Sequence, residues 1–269
     1  MPFRQFDLPG VASTCGTAIA SNGIVAGIGA TLSATPPTLA QSTPFILRGR
    51  TFSIPATTLP AGLIYLAGIN RGQTLVGFDL LSSSVSSTDF KYAHGTLTTL
   101  TLGEPVAIND SGTILSIGTR QPPIQFSLNQ IAVLQTRAGK ITQLDDGSGD
   151  MVPGGMDASA DRVVGHSITA NGWQAWSWHQ GVFTPVTVPG ALPGTNLTGV
   201  DSQGRIVGTY ATGTTASPVE HGFIQTAGLT TTFDVPGATS TLISGTNEAG
   251  MITGCFTNAK GRHGFIAKP

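Results

Sequence analysis

One short pattern recurs along this 269-residue chain and decides what it can become. A turn led by Asn, Asp or Ser is followed by an apolar run that ends in Gly or Ser. The copies close at Gly27, Gly77, Ser116, Gly165, Gly208 and Gly254. Their spacing is roughly 40–50 residues, the period of one four-stranded propeller blade. Gly199–Gly237 gives the clearest copy: a run ending at Asp201, then RIVGTY, HGFIQ and LTTTFDVPG, separated by alternating tight turns and loops. Run, turn, run, loop, run, turn, run is an antiparallel meander. A lone meander cannot bury both faces, so the copies must pack on one another.

Counting the copies predicts an all-β fold, a six-bladed β-propeller filling residues 1–269 as one domain. The last copy stops one strand short, because HGFIAKP reaches Pro269 where a segment like Asp234-Val235-Pro236-Gly237 is due. The N-terminus carries that segment as Asp7-Leu8-Pro9-Gly10. The first strand is therefore expected to complete the last blade and remove the free edges of the ring. Cys15 and Cys255 fall in neighbouring blades at this seam. They form either a disulfide that staples the seam or two buried thiols.

Composition narrows the partners. Charged residues make up 10% and the net charge is −1. A phosphate backbone needs a basic patch, so neither nucleic acid nor a membrane surface is an expected partner. No apolar run approaches a membrane span. Scarce Lys, abundant Ser and Thr and the sequon Asn196-Leu197-Thr198 point to a secreted or periplasmic protein, and a monomer is expected. The phrases GVDSQGRIVGTY, EHGFIQTAG, TTTFDVPGATST and SGTNEAGMITG resemble the HAF-type extracellular repeat of bacterial proteins. The resemblance is good over the last two copies, fair in the fourth and degenerate in the first three. It implies a secreted, propeller-like protein and carries no catalytic residues.

The repeated polar residues have structural explanations. Turn Asn and Asp side chains hydrogen-bond their own backbone. His221 and His263 occupy equivalent places and read as satisfied structural donors rather than metal ligands. His94 reads as a surface turn residue. No metal site and no cofactor is expected. The acidic run Asp145–Asp150 lacks the spacing and terminal Glu of a calcium loop.

Function is sought where the repeat breaks. Tight turns collect on one face, and long irregular loops, such as those from Ala30, Leu80, Arg120, Leu144 and Ala211, collect on the other. Loops on a rigid scaffold carry binding, so the site is expected at the channel mouth on the loop-rich face. Residues just past the repeat Gly vary from copy to copy. Asp79, His166, Arg120 and Tyr210 are the expected catalytic group, and Phe78, Phe126, Leu81 and Glu220 the expected substrate contacts. Two readings remain. One is a cofactor-independent enzyme of lyase, isomerase or cyclase type acting on a small, largely apolar molecule. The other is a non-catalytic extracellular module that recognises carbohydrate or a surface.

Overall fold

The structure is a computed structural model and describes residues 3–32, 39–54, 63–80, 88–121, 128–170 and 172–269. Leu81 and Phe126 lie outside these residues. The strands follow the repeat. After β1 (Phe3–Phe6), the first meander is β2 (Ser13–Ile19), β3 (Val25–Leu32), β4 (Leu39–Arg48) and β5 (Thr51–Ser53). The next is β6 (Leu63–Ile69), β7 (Leu75–Leu80), β8 (Thr88–Ala93) and β9 (Thr96–Thr99). Then come β10 (Glu104–Ile108), β11 (Ile114–Thr119), β12 (Gln130–Gln135) and β13 (Ile141–Leu144). They are followed by β14 (Asp150–Met156), β15 (Arg162–Thr169), β16 (Gly172–His179) and β17 (Val182–Pro185). The last strands are β18 (Asn196–Val200), β19 (Ile206–Thr214), β20 (Ser217–Thr226) and β21 (Leu229–Phe233), then β22 (Ser240–Thr246), β23 (Ile252–Asn258) and β24 (Gly261–Ala267).

Four sheets have four strands each in sequence order. The eight-stranded sheet joins β22–β24 to β2–β5 through one parallel bridge, Ser13 to Arg262. Within it β1 pairs antiparallel with β24, from Phe3–Ala267 to Phe6–Gly264. Each meander packs on the next, as β6 does on β3, β14 on β12, β18 on β15, β22 on β19 and β2 on β23. This stacking of meanders is the β-propeller architecture.

The recurring glycine has a steric cause. A Cβ on Gly208 would lie 2.2 Å from the Asn196 carbonyl and 2.9 Å from the Phe223 ring. Gly27, Gly77, Gly165 and Gly254 face the equivalent inner-strand carbonyls at 1.9–2.4 Å. Pairing places Phe45, Phe90, Trp176, Phe223 or Phe265 opposite each glycine. The exception is Ser116, which stands opposite Val133 and so has room for its hydroxymethyl.

The turn asparagines do more than cap. Asn109 Oδ1 accepts the Thr113 backbone N–H at 2.8 Å, while its Nδ2 donates to the Ala158 carbonyl of the next meander at 2.9 Å. Asn70 reaches the Asn109 carbonyl and Asn247 the Ala20 carbonyl in the same way. Asp157 and Asp201 cap their own turns, and Asp201 also holds the Arg205 guanidinium at 3.0 Å. In the hairpins after β8, β16 and β20, His94, Gln180 and Ala227 have φ of 50°. The glycines that follow them also have positive φ, the geometry of a type I′ turn. His94 is thus a turn residue, as expected.

Cys15 and Cys255 are joined in a disulfide, with Cα atoms 4.8 Å apart. His221 Nδ1 lies 2.8 Å from Asp234 Oδ2, and His263 Nδ1 lies 2.7 Å from Asp7 Oδ1. The repeat histidine is therefore a structural partner of the repeat aspartate. Asp7 of β1's own segment plays for β24 the part that Asp234 plays for β20.

Candidate functional site

Every innermost strand carries one β-bulge. The register slips at Thr17, Ala67, Val106, Gly154, Thr198 and Ser244. A bulge adds a residue and re-aims the side chains beside it. The residue after each bulge is small: Ala18, Gly68, Ala107, Gly155, Gly199 or Gly245. Neighbouring inner strands approach closely there. A Cβ on Gly155 would meet the Gly199 Cα at 2.8 Å, and one on Gly68 the Ile108 nitrogen at 2.9 Å.

The bulged residues form one layer of a central cavity of about 600 Å³. Two positions earlier on each strand, Cys15, Tyr65, Glu104, Val152, Asn196 and Leu242 form a second layer nearer the loops. Second-strand residues Ile28, Phe78, Ile117, His166 and Thr209 close the walls, and Arg262 joins them from β24. The cavity lies where second strands end and first strands begin, which is the face of the long loops. That these two kinds of connection share a face is evident at Arg120, which lies between β11 and β12 but holds the loop after β13.

The chemistry of the lining is mixed. Apolar surface comes from Ile28, Phe78, Ile117, Val152 and Leu242, with Tyr65 stacked on Phe78 at 5.2 Å between centroids. Burial pushes the Tyr65 phenol up, an effect that the Arg262 charge partly offsets. Burial, with the neighbouring Asp89 carboxylate, pushes the Glu104 carboxyl up. His166 is 6% exposed, its ring stacks on Trp173 at 4.2 Å, and its Nδ1 has no hydrogen-bond partner among the described residues. Burial lowers its pKa to about 4. The site thus holds a neutral imidazole and a carboxyl group biased toward its protonated form.

The structure does not bring the expected catalytic group together. His166 and Phe78 line the cavity; Asp79, Arg120, Tyr210 and Glu220 are not among its lining residues. The reason is the two-residue period of a strand. Phe78, His166 and Thr209 immediately follow the repeat position and face the channel. Asp79 and Tyr210 are one residue further on and point to the other side. Tyr210 packs in a cluster with Val164, Val186 and Phe223 and hydrogen-bonds Thr232 at 2.7 Å. Asp79 is 1% exposed, its Oδ1 is unpartnered among the described residues, and burial raises its pKa. Arg120 makes a two-pronged ion pair with Asp145, both contacts at 2.7 Å, and donates to the Gly149 carbonyl at 2.8 Å. Glu220 is exposed on β20.

Sequence reasoning passed over Tyr65 and Glu104. Their signal was present: they are the aromatic and acidic members at a position that holds Cys15, Val152, Asn196 and Leu242 elsewhere. The bulge that aims this position inward is marked in the sequence only by the Ala or Gly that follows it.

His166 has a measurable consequence. Its folded pKa lies below the ordinary histidine value, so the unfolded chain binds more protons between the two. The stability this neutral imidazole represents is whole above pH of about 6.5 and is lost as pH falls toward about 4, on the order of 3 kcal/mol at most. Urea unfolding near neutrality and near pH of about 4.5 should show a smaller acid loss in His166→Phe than in the native protein. Equal losses would mean that His166 is protonated without cost.

No protein-family model and no curated protein matches the chain. Solved structures match its fold. TolB from Acinetobacter baumannii superposes with a TM-score of 0.58 at 12% identity, over 92% of this chain and 64% of that one. The chain therefore spans just under two thirds of that protein. A gluconolactonase from Xanthomonas campestris gives 0.55 at 14% identity, over 96% and 87%. A catalytically inactive virginiamycin B lyase from Staphylococcus aureus, with quinupristin, gives 0.51 at 10% identity, over 99% of both chains. Likeness at such identities is likeness of fold, and the fold shared is the β-propeller.

Proposed function

We propose that this chain is a six-bladed propeller of the HAF-type repeat class that binds a small, largely apolar molecule in its central channel and acts on it without a resident cofactor. The ring reading rests on the β1–β24 pairing and on Asp7 repeating the role of Asp234. The disulfide supports an oxidising compartment, the periplasm or the cell exterior. The observation that carries the catalytic reading is the presence of His166, Glu104 and Tyr65 in one cavity of about 600 Å³. That volume is within the usual range of small-molecule sites.

In this reading the neutral His166 accepts a proton from substrate carbon, and Glu104, in the protonated form that burial favours, delivers one to the leaving oxygen. The net change is elimination of water or an alcohol, or ring opening where that oxygen is tethered. Tyr65 and Phe78 hold the apolar body, while the Asn196 amide offers a hydrogen bond to a carbonyl oxygen. Such acid–base groups typically supply about 10²–10⁴-fold each.

A thermal-shift screen tests this, with one library of aromatic and terpenoid-like compounds and one of oligosaccharides. Binding to the folded state alone raises its stability. Apolar hits are expected, and Ala67→Trp, which fills the channel, should abolish them. Mass spectrometry of the hits should show a product, with turnover reduced about 10²-fold or more in Glu104→Gln and His166→Gln. Hits without product would favour the recognition module. Stabilisation by sugars alone, unaffected by Ala67→Trp, would sink the proposal.

A further inference from the structure

The opposite, turn-rich face carries a second recess, of about 490 Å³, between the β6–β9 and β10–β13 meanders. Its floor is apolar, formed by Leu100, Ile108 and Ile114. Its rim is cationic, with Arg71, Lys91 and Arg137. The whole chain has 13 Lys and Arg residues, so three in one recess is a concentration of charge.

Lys91 is the informative residue. It pairs with Val76 on the wall that faces the next meander. The equivalent positions, fixed by register, hold Ile46, Leu134, Ser177, Ile224 and Ile266. The repeat thus offers an apolar side chain here in four cases of five, and in this meander alone a partly buried lysine replaces it. Neither Lys91 nor Arg137 makes an ion pair or side-chain hydrogen bond among the described residues. The one acid in the lining among the described residues, Asp110, is already engaged: it accepts the Arg71 backbone N–H at 2.7 Å and the Ser21 hydroxyl at 2.6 Å, with the Arg71 Nε at 3.9 Å. A lysine at a sealing position with no protein partner costs packing and gains nothing within the fold.

We infer that this recess is a second binding site, separate from the channel, for a small anion with an apolar body such as an aromatic carboxylate. The carboxylate would sit between Lys91 and Arg137, and the ring on Leu100, Ile108 and Ile114. Charge-assisted hydrogen bonds of this kind are shorter and stronger than neutral ones. Ion pairing at a rim weakens with salt, because the screening length shrinks to about 3 Å at 1 M.

The test uses 2-naphthoate and its uncharged counterpart 2-naphthalenemethanol, titrated into the intact protein and followed by calorimetry. Saturable binding of the anion is expected, with little of the alcohol, and weakening at high salt. Lys91→Ile restores the side chain usual at this position, so the fold should be kept while affinity drops about tenfold. Arg137→Gln should weaken binding independently. Ala67→Trp should leave it unchanged, which separates this site from the channel. No saturable binding, equal binding of the alcohol, insensitivity to Lys91→Ile or loss in Ala67→Trp would each overturn the inference.

Discussion

Opening the Cys15–Cys255 bond should lower the free energy of unfolding by about 2–5 kcal/mol, the largest loss expected from any pair of atoms in the chain. The two cysteines are 240 residues apart in sequence. A cross-link of that span restricts nearly all of the unfolded chain, and loop-closure entropy grows with span. The bond also lies where the molecule has least backbone continuity. It ties β2 to β23, between two meanders that share a single parallel bridge. The Cys15→Ala, Cys255→Ala double variant avoids stray thiols and should match the reduced protein. Urea midpoints with and without reductant measure the effect. An unchanged midpoint would mean that the β1–β24 pairing and packing on β22 and β23 hold the seam without it.

Phe223→Ala should cost about 3–5 kcal/mol. The ring is fully buried, and its neighbours are fixed on both sides. Gly208 approaches it from β19 because a side chain there is forbidden by the Asn196 carbonyl, so the backbone cannot move in to fill the space. Val164, Val186 and Leu197 of the same cluster belong to three different strands or connections, and they lose contact with the ring together. Calorimetric unfolding checks this. A loss below about 1 kcal/mol would show that the site collapses freely, contrary to the rigid cradle described above.

The repeat made most of the fold legible in the sequence. The Asx-led turn, the apolar run and the glycine each answer to a local requirement: a capped turn, a buried strand and a carbonyl too close for a Cβ. The strands appear where these signals placed them. That Asp7-Leu8-Pro9-Gly10 stands in for the missing fourth strand was also readable, because the segment from Asp234 to Gly237 shows what that strand contains; that its aspartate meets the repeat histidine was not. The lining of the central cavity was less legible. Asp79 and Tyr210 were chosen for chemistry at a variable position, yet a shift of one residue along a strand sends a side chain to the opposite face. Arg120 was chosen for its charge, and that charge is consumed by Asp145.

The sequence alone determined the repeating unit, the order of its strands and the terminal segments that resemble one another, since each depends on residues close together in the chain. The tertiary structure decided which residues share the channel. Tyr65, Glu104 and His166 belong to three different meanders, and they meet only because bulged inner strands bring their backbones together where small residues permit it. Contacts across that distance depend on how meanders stack and turn against one another, which no local pattern encodes.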